Sequence, residues 1–204
     1  MTGPDVTARA ANRRRAAALA GHEGDQAGAR RAWLDDEPAV RATGLGALER
    51  LGALDPATLR TALADESPLV RRRAAELAAH HPDVSLLDAL DDPDAGVVEM
   101  AAFASGEQGA VVGAGGVAKL AELAADHPDA LVREAAVAAL GAIGDDAGLP
   151  TILAAARGDR PAVRRRAVIA LAPFDGPDVE AALQHALADR DWQVRQAAED
   201  LLEP

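Results

Sequence analysis

A short pattern recurs about every 30 residues along nearly the whole chain, and a period of that length indicates one supersecondary unit copied many times. In six of seven copies an anchor residue, usually valine, is followed by arginine, and in all seven a small residue stands four places after the anchor. The valine position is occupied in turn by Asn12, Val40, Val70, Val97, Val132, Val163 and Val194. An array of repeats is therefore the first fold to consider.

Each of these anchor residues is predicted to lie on an α-helix. The small residue four places later and a leucine seven or eight places later share one helical face with the anchor. Helix starts are marked by proline two residues before the anchor, as at Pro38, Pro68 and Pro161. In several copies a capping residue stands three places before the anchor, as at Ser67, Asp94, Asp129 and Asp191. A further helix fits between successive anchors, so each unit is predicted to be two antiparallel helices.

The repeats are predicted to form a single domain over residues 1–204. Residues 13–25 match residues 71–83 at nine of thirteen positions, which predicts a lone second helix at the N-terminus. That cap helix is placed at 5–23. The helix pairs follow at 25–53, 55–81, 83–106, 116–143, 146–172 and 176–203. Residues 106–116 are rich in glycine, and we predict a loop there.

Two cassettes, residues 67–71 (Ser-Pro-Leu-Val-Arg) and residues 160–164 (Arg-Pro-Ala-Val-Arg), resemble the HEAT-repeat family. The likeness is to the short HEAT-like repeats of the phycobilisome-lyase type, and it covers about residues 5–204. It implies an all-α, right-handed α-solenoid of about six HEAT-like helix pairs plus an N-terminal half repeat. Such arrays offer an extended concave surface lined by the second helices.

The same resemblance implies that the arginine after each anchor bonds an acidic residue in a neighbouring turn, building a ladder along the stack. The ladder arginines are then Arg13, Arg41, Arg71, Arg133, Arg164 and Arg195. Their expected acceptors include Asp36, Asp65, Asp126, Asp159 and Asp189. Val98 stands where arginine is expected, so we predict that the ladder is interrupted in the third full repeat.

Composition narrows the functional classes. The chain has no cysteine, which excludes disulfides, thiolate nucleophiles and cysteine metal sites. Its formal net charge of −12 disfavours nucleic acid as a partner. The N-terminus lacks the apolar core of a secretory signal, and no apolar run approaches membrane-spanning length. We therefore expect a cytoplasmic monomer without cofactor or metal, and the abundance of Arg, Ala, Gly and Asp suggests a bacterial source.

Three motifs invite a chemical interpretation. Residues 113–118 match the dinucleotide-binding pattern G-x-G-x-x-A, although helical repeats rather than βαβ units flank them. A weaker hypothesis places an anion at the start of the helix that follows. His22-Glu23 is similar to the His-Glu pairs of HEAT-repeat iron hydroxylases, which need several such pairs facing one iron. The arginine triplets 13–15, 71–73 and 164–166, with Trp33 and Trp192, are similar to features of bacterial HEAT-like alkylpurine DNA glycosylases.

The function predicted from the sequence is a non-catalytic scaffold or adaptor that binds another protein along the concave face. Exposed positions expected on that face are Arg72, Glu76, Glu99, Phe103, Glu134, Arg165 and Ile169. Phe103 is a rare aromatic beside the glycine-rich segment and could anchor a partner or be buried in the core. A nucleic-acid enzyme of the glycosylase kind remains the alternative, and a bilin-lyase-like protein is a third reading that only the repeat type supports.

Overall fold

The computed structural model describes residues 4–202, and within that range the chain is helical without a β-strand. The predicted all-α helical-repeat fold is confirmed. The α-helices are α1 (Pro4–Glu23), α2 (Gln26–Trp33), α3 (Pro38–Arg50), α4 (Pro56–Leu63), α5 (Pro68–Ala78), α6 (Ala95–Gln108), α7 (Gly113–Asp126), α8 (Ala130–Ile143), α9 (Leu149–Gly158), α10 (Pro161–Ala170), α11 (Pro177–Ala186) and α12 (Trp192–Leu202). Short 3₁₀ helices lie at Asp88–Asp91, Gly109–Val112 and Asp146–Gly148.

The chain divides into two compact units, Met1–Val84 and Ser85–Pro204. In the first unit, α3 packs against α1 and α5, and α2 and α4 pack on α3 and α5 respectively. In the second unit, α6, α8, α10 and α12 lie side by side as one layer. The helices α7, α9 and α11 form the other layer of that unit. Each unit therefore has the two-layer arrangement that paired helices produce.

Six anchor valines form the seam between the layers of their own repeats. From Val40 to Val194 each of them is at most 1% exposed. Burying a valine side chain stabilises the fold by about 1.5–3 kcal/mol. The small residue four places later lets the paired helices approach closely. A Cβ added at Gly44 would lie 2.5 Å from the backbone nitrogen of Trp33 in the preceding helix.

The first copy of the pattern differs because, among the described residues, no helix precedes α1 to cover it. Asn12, Ala16 and Leu19 are exposed, whereas Ala17 and Ala20 are buried. The anchor side of a second helix normally packs on the first helix of the same repeat, and a half repeat lacks that partner. Only the side of α1 that meets α2 and α3 is covered.

Helix starts follow the predicted chemistry at three positions. Asp94, Asp129 and Asp191 accept hydrogen bonds from backbone N–H groups two residues later. The expected capping role of Ser67 is wrong, since its side chain makes no capping bond. The backbone N–H of Ser67 instead donates to Asp65 at 2.9 Å. Pro68 already supplies the fixed φ angle that starts this helix.

The third repeat departs from the prediction in two segments, its first helix and the glycine-rich segment that follows its second helix. The helix expected after Asp83 is reduced to the 3₁₀ turn 88–91. The glycine-rich segment 106–116 is not a loop, because α6 continues to Gln108, a 3₁₀ turn covers 109–112 and α7 begins at Gly113. Gly109 and Gly113 have φ angles of 64° and 66°, and these two residues provide the breaks between the three helical pieces.

Candidate functional site

In several repeats the arginine after the anchor bonds an aspartate in the next turn of the stack, and Arg41 shows the full geometry. Its Nε and Nη2 donate to the two carboxylate oxygens of Asp65 at 2.9 and 2.8 Å. Its Nη1 donates to the carbonyl oxygens of Asp35 and Asp36, both at 3.0 Å. A planar guanidinium can make these bonds together and an ammonium cannot, which accounts for arginine at this position.

The same fork recurs in other repeats. Arg133 bonds Asp159 at 2.6 and 2.7 Å, and Arg164 bonds Asp189 at 2.8 and 2.7 Å. Arg13 bonds Asp35 at 2.8 and 3.2 Å. Arg71 and Arg195 each donate Nη1 to a backbone carbonyl of the preceding turn, at 2.9 and 2.8 Å.

Two predicted acceptors need correction. Arg13 bonds the side chain of Asp35 and not that of Asp36, which contributes only its backbone carbonyl to Arg41. Asp126 is not a ladder acceptor either, because its repeat places His127 at the acceptor position. The Nδ1 of His127 accepts from the backbone N–H of Asp129, as Asp65 and Asp189 do from the residue two places later. An exposed carboxylate at 126 lies one residue too early for that role.

Val98 stands in place of the ladder arginine, and the acceptor position in the following turn carries His127 instead of an aspartate. Val98 is buried, and a cavity of about 290 Å³ lies beside it, bordered also by Asp126 and His127. A different cation ties this region together. The Nζ of Lys119 on α7 lies 2.6 Å from the carboxylate of Asp91 and 3.3 Å from that of Glu122. The only lysine of the chain thus joins two successive repeats.

The ladder lowers the pKa values of aspartates such as Asp159 and Asp189. The hydrogen bonds from Arg133 lower the pKa of Asp159, with burial acting in the opposite sense. The hydrogen bonds from Arg164 lower the pKa of Asp189 in the same way. These ion pairs use the hydrogen-bonding groups of both side chains within the stack.

A groove of about 550 Å³ lies between α6 and α8, along the second-helix layer of the second unit. Its lining residues come from both helices and from one arginine of α10. They are Glu99, Met100, Phe103, Gly106, Glu107, Leu131, Glu134, Ala135, Ala138, Ala139, Ala142 and Arg166. We call this feature the α6–α8 groove.

The two helices that form the groove approach closely at one point. A Cβ added at Gly106 would lie 3.0 Å from the Cα of Ala139 and 3.5 Å from the Cβ of Ala142. Because the α8 side is lined mainly by alanines, the floor is shallow and apolar. Phe103 stands on its wall with 50% of its surface exposed, although the other phenylalanine, Phe174, is buried. A half-exposed aromatic ring over an alanine floor is suited to contact another apolar side chain.

The structure brings together three of the predicted partner-binding residues. Glu99, Phe103 and Glu134 line the α6–α8 groove. Arg165 and Ile169 lie on α10 outside its lining, with Ile169 exposed. Arg72 and Glu76 are exposed on α5 in the first unit.

Several groove residues were missed from the sequence. Arg166 lines the groove where Arg165 was predicted, and its Nη2 lies 3.5 Å from Glu134. Met100 occupies the same position in its own repeat as Arg166 does in its repeat, three residues after the anchor. Glu107 lies ten after its anchor, within the segment predicted as a loop, so no helical position could be assigned to it. Leu131 precedes its anchor and reads as an ordinary apolar residue near a helix start.

The motifs with chemical interpretations lie in helical surroundings. Residues 109–112 before the glycine motif form a 3₁₀ helix, so the dinucleotide-binding strand is absent there and that hypothesis is wrong. His22 and Glu23 are both exposed at the end of α1. Among residues 4–202, no group of three or more His, Asp or Glu side chains is arranged to hold a metal.

Each arginine triplet has at least one member that pairs with a carboxylate. The first arginine of two triplets pairs with a ladder aspartate, Arg13 with Asp35 and Arg164 with Asp189. In the remaining triplet, Arg73 pairs with Glu76 at 2.8 Å. These pairings reduce the charge available to phosphate. Trp192 is exposed, and Trp33 is half-buried near the end of α2. No described helix is long and apolar enough to cross a membrane.

Residues 117–203 match the family model for HEAT repeats. Among solved structures, a designed armadillo repeat protein in complex with the peptide (KR)4 aligns with a TM-score of 0.61 and 20% identity, over 89% of this chain and 93% of that one. The Escherichia coli protein YibA aligns with a TM-score of 0.66 and 20% identity, over 89% and 68%. Human deoxyhypusine hydroxylase aligns with a TM-score of 0.50 and 22% identity, over 94% and 78%. No curated protein sequence matches the chain. At these identities the structural likeness is one of fold.

Proposed function

We propose that this chain, whose residues 117–203 match the family model for HEAT repeats, is a non-catalytic scaffold or adaptor that binds a segment of another protein in the α6–α8 groove. The observation that carries this proposal is the exposed ring of Phe103 on the wall of an apolar groove. Large aromatic side chains set in pockets supply a disproportionate share of binding energy at protein interfaces.

The packing around the groove also supports a binding role. Both helices are anchored in the repeat stack through buried valines, Val97 and Val132, so their backbones are held in place by packing. A preformed surface avoids the entropy cost of ordering side chains and backbone on binding. A similar repeat fold accommodates a peptide in the designed armadillo protein, which makes a peptide segment a reasonable occupant here.

Site-specific photo-crosslinking in a lysate of the source organism tests the proposal. A photoreactive residue replaces Ala138, which lines the groove, and a control variant carries it at Ala181, which is exposed on α11 in the other layer. We expect a defined protein to be joined at position 138 and not at position 181. Equal labelling at both positions, or no protein joined at 138, would contradict a specific groove.

Affinity measurements with the captured partner then test the anchor. We expect Phe103→Ala to weaken binding about tenfold or more, since loss of an interface anchor commonly removes more than 1.4 kcal/mol. Leu87→Ala is the matched control, because Leu87 is 45% exposed in the same unit and lies outside the groove lining. Equal weakening of binding by the two substitutions would show that Phe103 does not lie in the interface.

The alternative hypothesis is that the protein is a nucleic-acid enzyme. The same crosslinking experiment tests it, provided that no nuclease is added to the lysate. Recovery of DNA or RNA, with no protein joined at position 138, would favour it, and binding that falls steeply with added salt would support it. The cytoplasmic location, the bacterial source and the monomeric state also remain predictions, the last of which size-exclusion chromatography checks.

A further inference from the structure

The α6–α8 groove carries an excess of negative charge at its edges. Glu99 and Glu107 line its α6 side and Glu134 its α8 side. The single cation in the lining is Arg166, whose Nη2 lies 3.5 Å from Glu134. One of the three carboxylates is therefore partly neutralised, and Glu99 and Glu107 stand without a cationic lining residue beside them. Charges so placed attract a basic partner and repel phosphate or an acidic segment.

The middle of the groove is apolar and narrow. Met100, Phe103 and Leu131 rise beside the row of alanines on α8. Gly106 has no side chain, so α6 and α8 lie in close contact beside the alanines that form the floor. A single large apolar side chain can enter such a space, with Phe103 against one of its faces. The groove thus combines an apolar centre with an acidic margin.

The length of the groove limits its occupant. Glu99 and Glu107 are eight positions apart on α6, which corresponds to about 12 Å along the helix axis. That span accommodates about two turns of a helix, or about four residues of an extended strand. The groove is therefore matched to a short segment of a partner.

We propose that the α6–α8 groove binds a short segment of a partner protein that carries one large apolar side chain flanked by lysine or arginine. The apolar side chain packs between Phe103 and the alanines of α8. The flanking cations lie beside Glu99, Glu107 and Glu134. This inference rests on the proposed protein-binding function and adds to it the chemistry of the partner.

The test uses three fluorescein-labelled synthetic peptides titrated with the full chain by fluorescence anisotropy at low and moderate salt. The first is Lys-Arg-Lys-Phe-Lys-Arg-Lys, the second replaces its Phe with Ser, and the third replaces all its cations with Glu. We expect the first to bind most tightly and more weakly as salt rises, because exposed charges are screened. The peptide without Phe should bind about tenfold more weakly, and the acidic peptide should not bind.

Charge variants locate the site. Glu99→Gln, Glu107→Gln and Glu134→Gln together remove three negative charges from the groove. The control combines three exposed glutamates outside the groove lining, Glu23→Gln, Glu180→Gln and Glu199→Gln, and changes the net charge equally. We expect the groove variant to bind the first peptide about tenfold more weakly and the control to bind it nearly as the wild type does. Circular dichroism confirms that both remain helical.

Several outcomes would overturn this inference. They are no binding of the first peptide, equal or tighter binding of the acidic peptide, undiminished binding of the Ser peptide, and equal weakening by the two triple variants. The proposed function fails separately, by the crosslinking test at position 138. A crosslinked partner whose joined segment is acidic would overturn the partner chemistry and leave the protein-binding function standing.

Discussion

Arg164 and Asp189 form the most enclosed ion pair of the ladder. The Nε and Nη2 of Arg164 donate to both carboxylate oxygens of Asp189 at 2.8 and 2.7 Å, and the two side chains are only 5% and 8% exposed. The Nη1 of the same arginine donates to the backbone carbonyl of Asp159 at 2.7 Å. One guanidinium thereby joins the turn before α10 to the turn before α12.

Replacing this arginine leaves a carboxylate enclosed without its partner. We expect Arg164→Met to lower the free energy of unfolding by about 3–5 kcal/mol, the usual cost of breaking a buried ion pair from one side. Arg13→Met is the matched control, since the side chain of Arg13 is 47% exposed and its pair with Asp35 is worth about 1 kcal/mol or less. Urea denaturation measures both, and equal losses would show that burial does not set the strength of the ladder.

Acid should weaken the fold through the same aspartates. The pKa values of Asp159 and Asp189 are lowered in the folded state, chiefly by hydrogen bonds from Arg133 and Arg164. Their contribution is complete above the unfolded-state pKa of about 3.9 and is lost as pH falls through the lower folded-state values. We expect stability in urea to fall below about pH 4, and Asp189→Asn to fall less steeply from a lower starting value. Parallel pH profiles for the two proteins would contradict this assignment.

Close helix contact depends on Gly141. A Cβ there would lie 2.6 Å from the Cβ of Ala170 and 2.7 Å from its Cα, so α8 and α10 must separate to admit it. We expect Gly141→Ala to destabilise the protein by about 1–3 kcal/mol. Gly115→Ala should instead stabilise it by about 0.4–1 kcal/mol, because Gly115 is helical and a Cβ there meets nothing within 4 Å. Thermal unfolding followed by circular dichroism compares the two. Stabilisation by both substitutions would rule out the close contact.

The missing rung of the ladder can be rebuilt. Val98→Arg with His127→Asp restores the donor and acceptor of the other repeats, and the cavity of about 290 Å³ beside Val98 has room for a guanidinium. We expect each single substitution to destabilise the protein and the pair to recover about 1–3 kcal/mol of the summed loss. A double-mutant cycle in urea measures this coupling. A coupling energy near zero would mean that His127 does not occupy the acceptor position.

Much of the ladder could be predicted because the resemblance to HEAT repeats implies an acidic partner in a neighbouring turn for the arginine after each anchor. The arginine that follows each anchor lies on a helix whose start is marked by proline or a capping aspartate, and Asp65, Asp159 and Asp189 stand where the preceding helix ends. The choice between Asp35 and Asp36 could not be predicted. Neighbouring residues in a turn point in different directions, and only the path of the backbone selects the one that faces Arg13.

The α6–α8 groove could be predicted only in part. The helical period places Glu99, Phe103 and Glu134 on exposed positions of their helices, and the structure places all three in one groove. Glu107 was not predicted as a groove residue because it lies in the segment that was predicted to be a loop. That prediction was made because glycine-rich composition usually breaks a helix. Here Gly106 remains helical, and its lack of a side chain is what admits α8 to close contact.

The sequence by itself determined that this protein is an array of helix pairs, because the period of about 30 residues, the anchor valines and the helix-start residues each act over short distances along the chain. Only the tertiary structure decided which exposed side chains share a surface. Phe103 and Leu131 are 28 positions apart in the sequence and line one groove because α6 and α8 pack at Gly106 and Ala139. Packing between helices depends on the shapes of side chains from distant repeats, and periodicity within one helix does not contain that information.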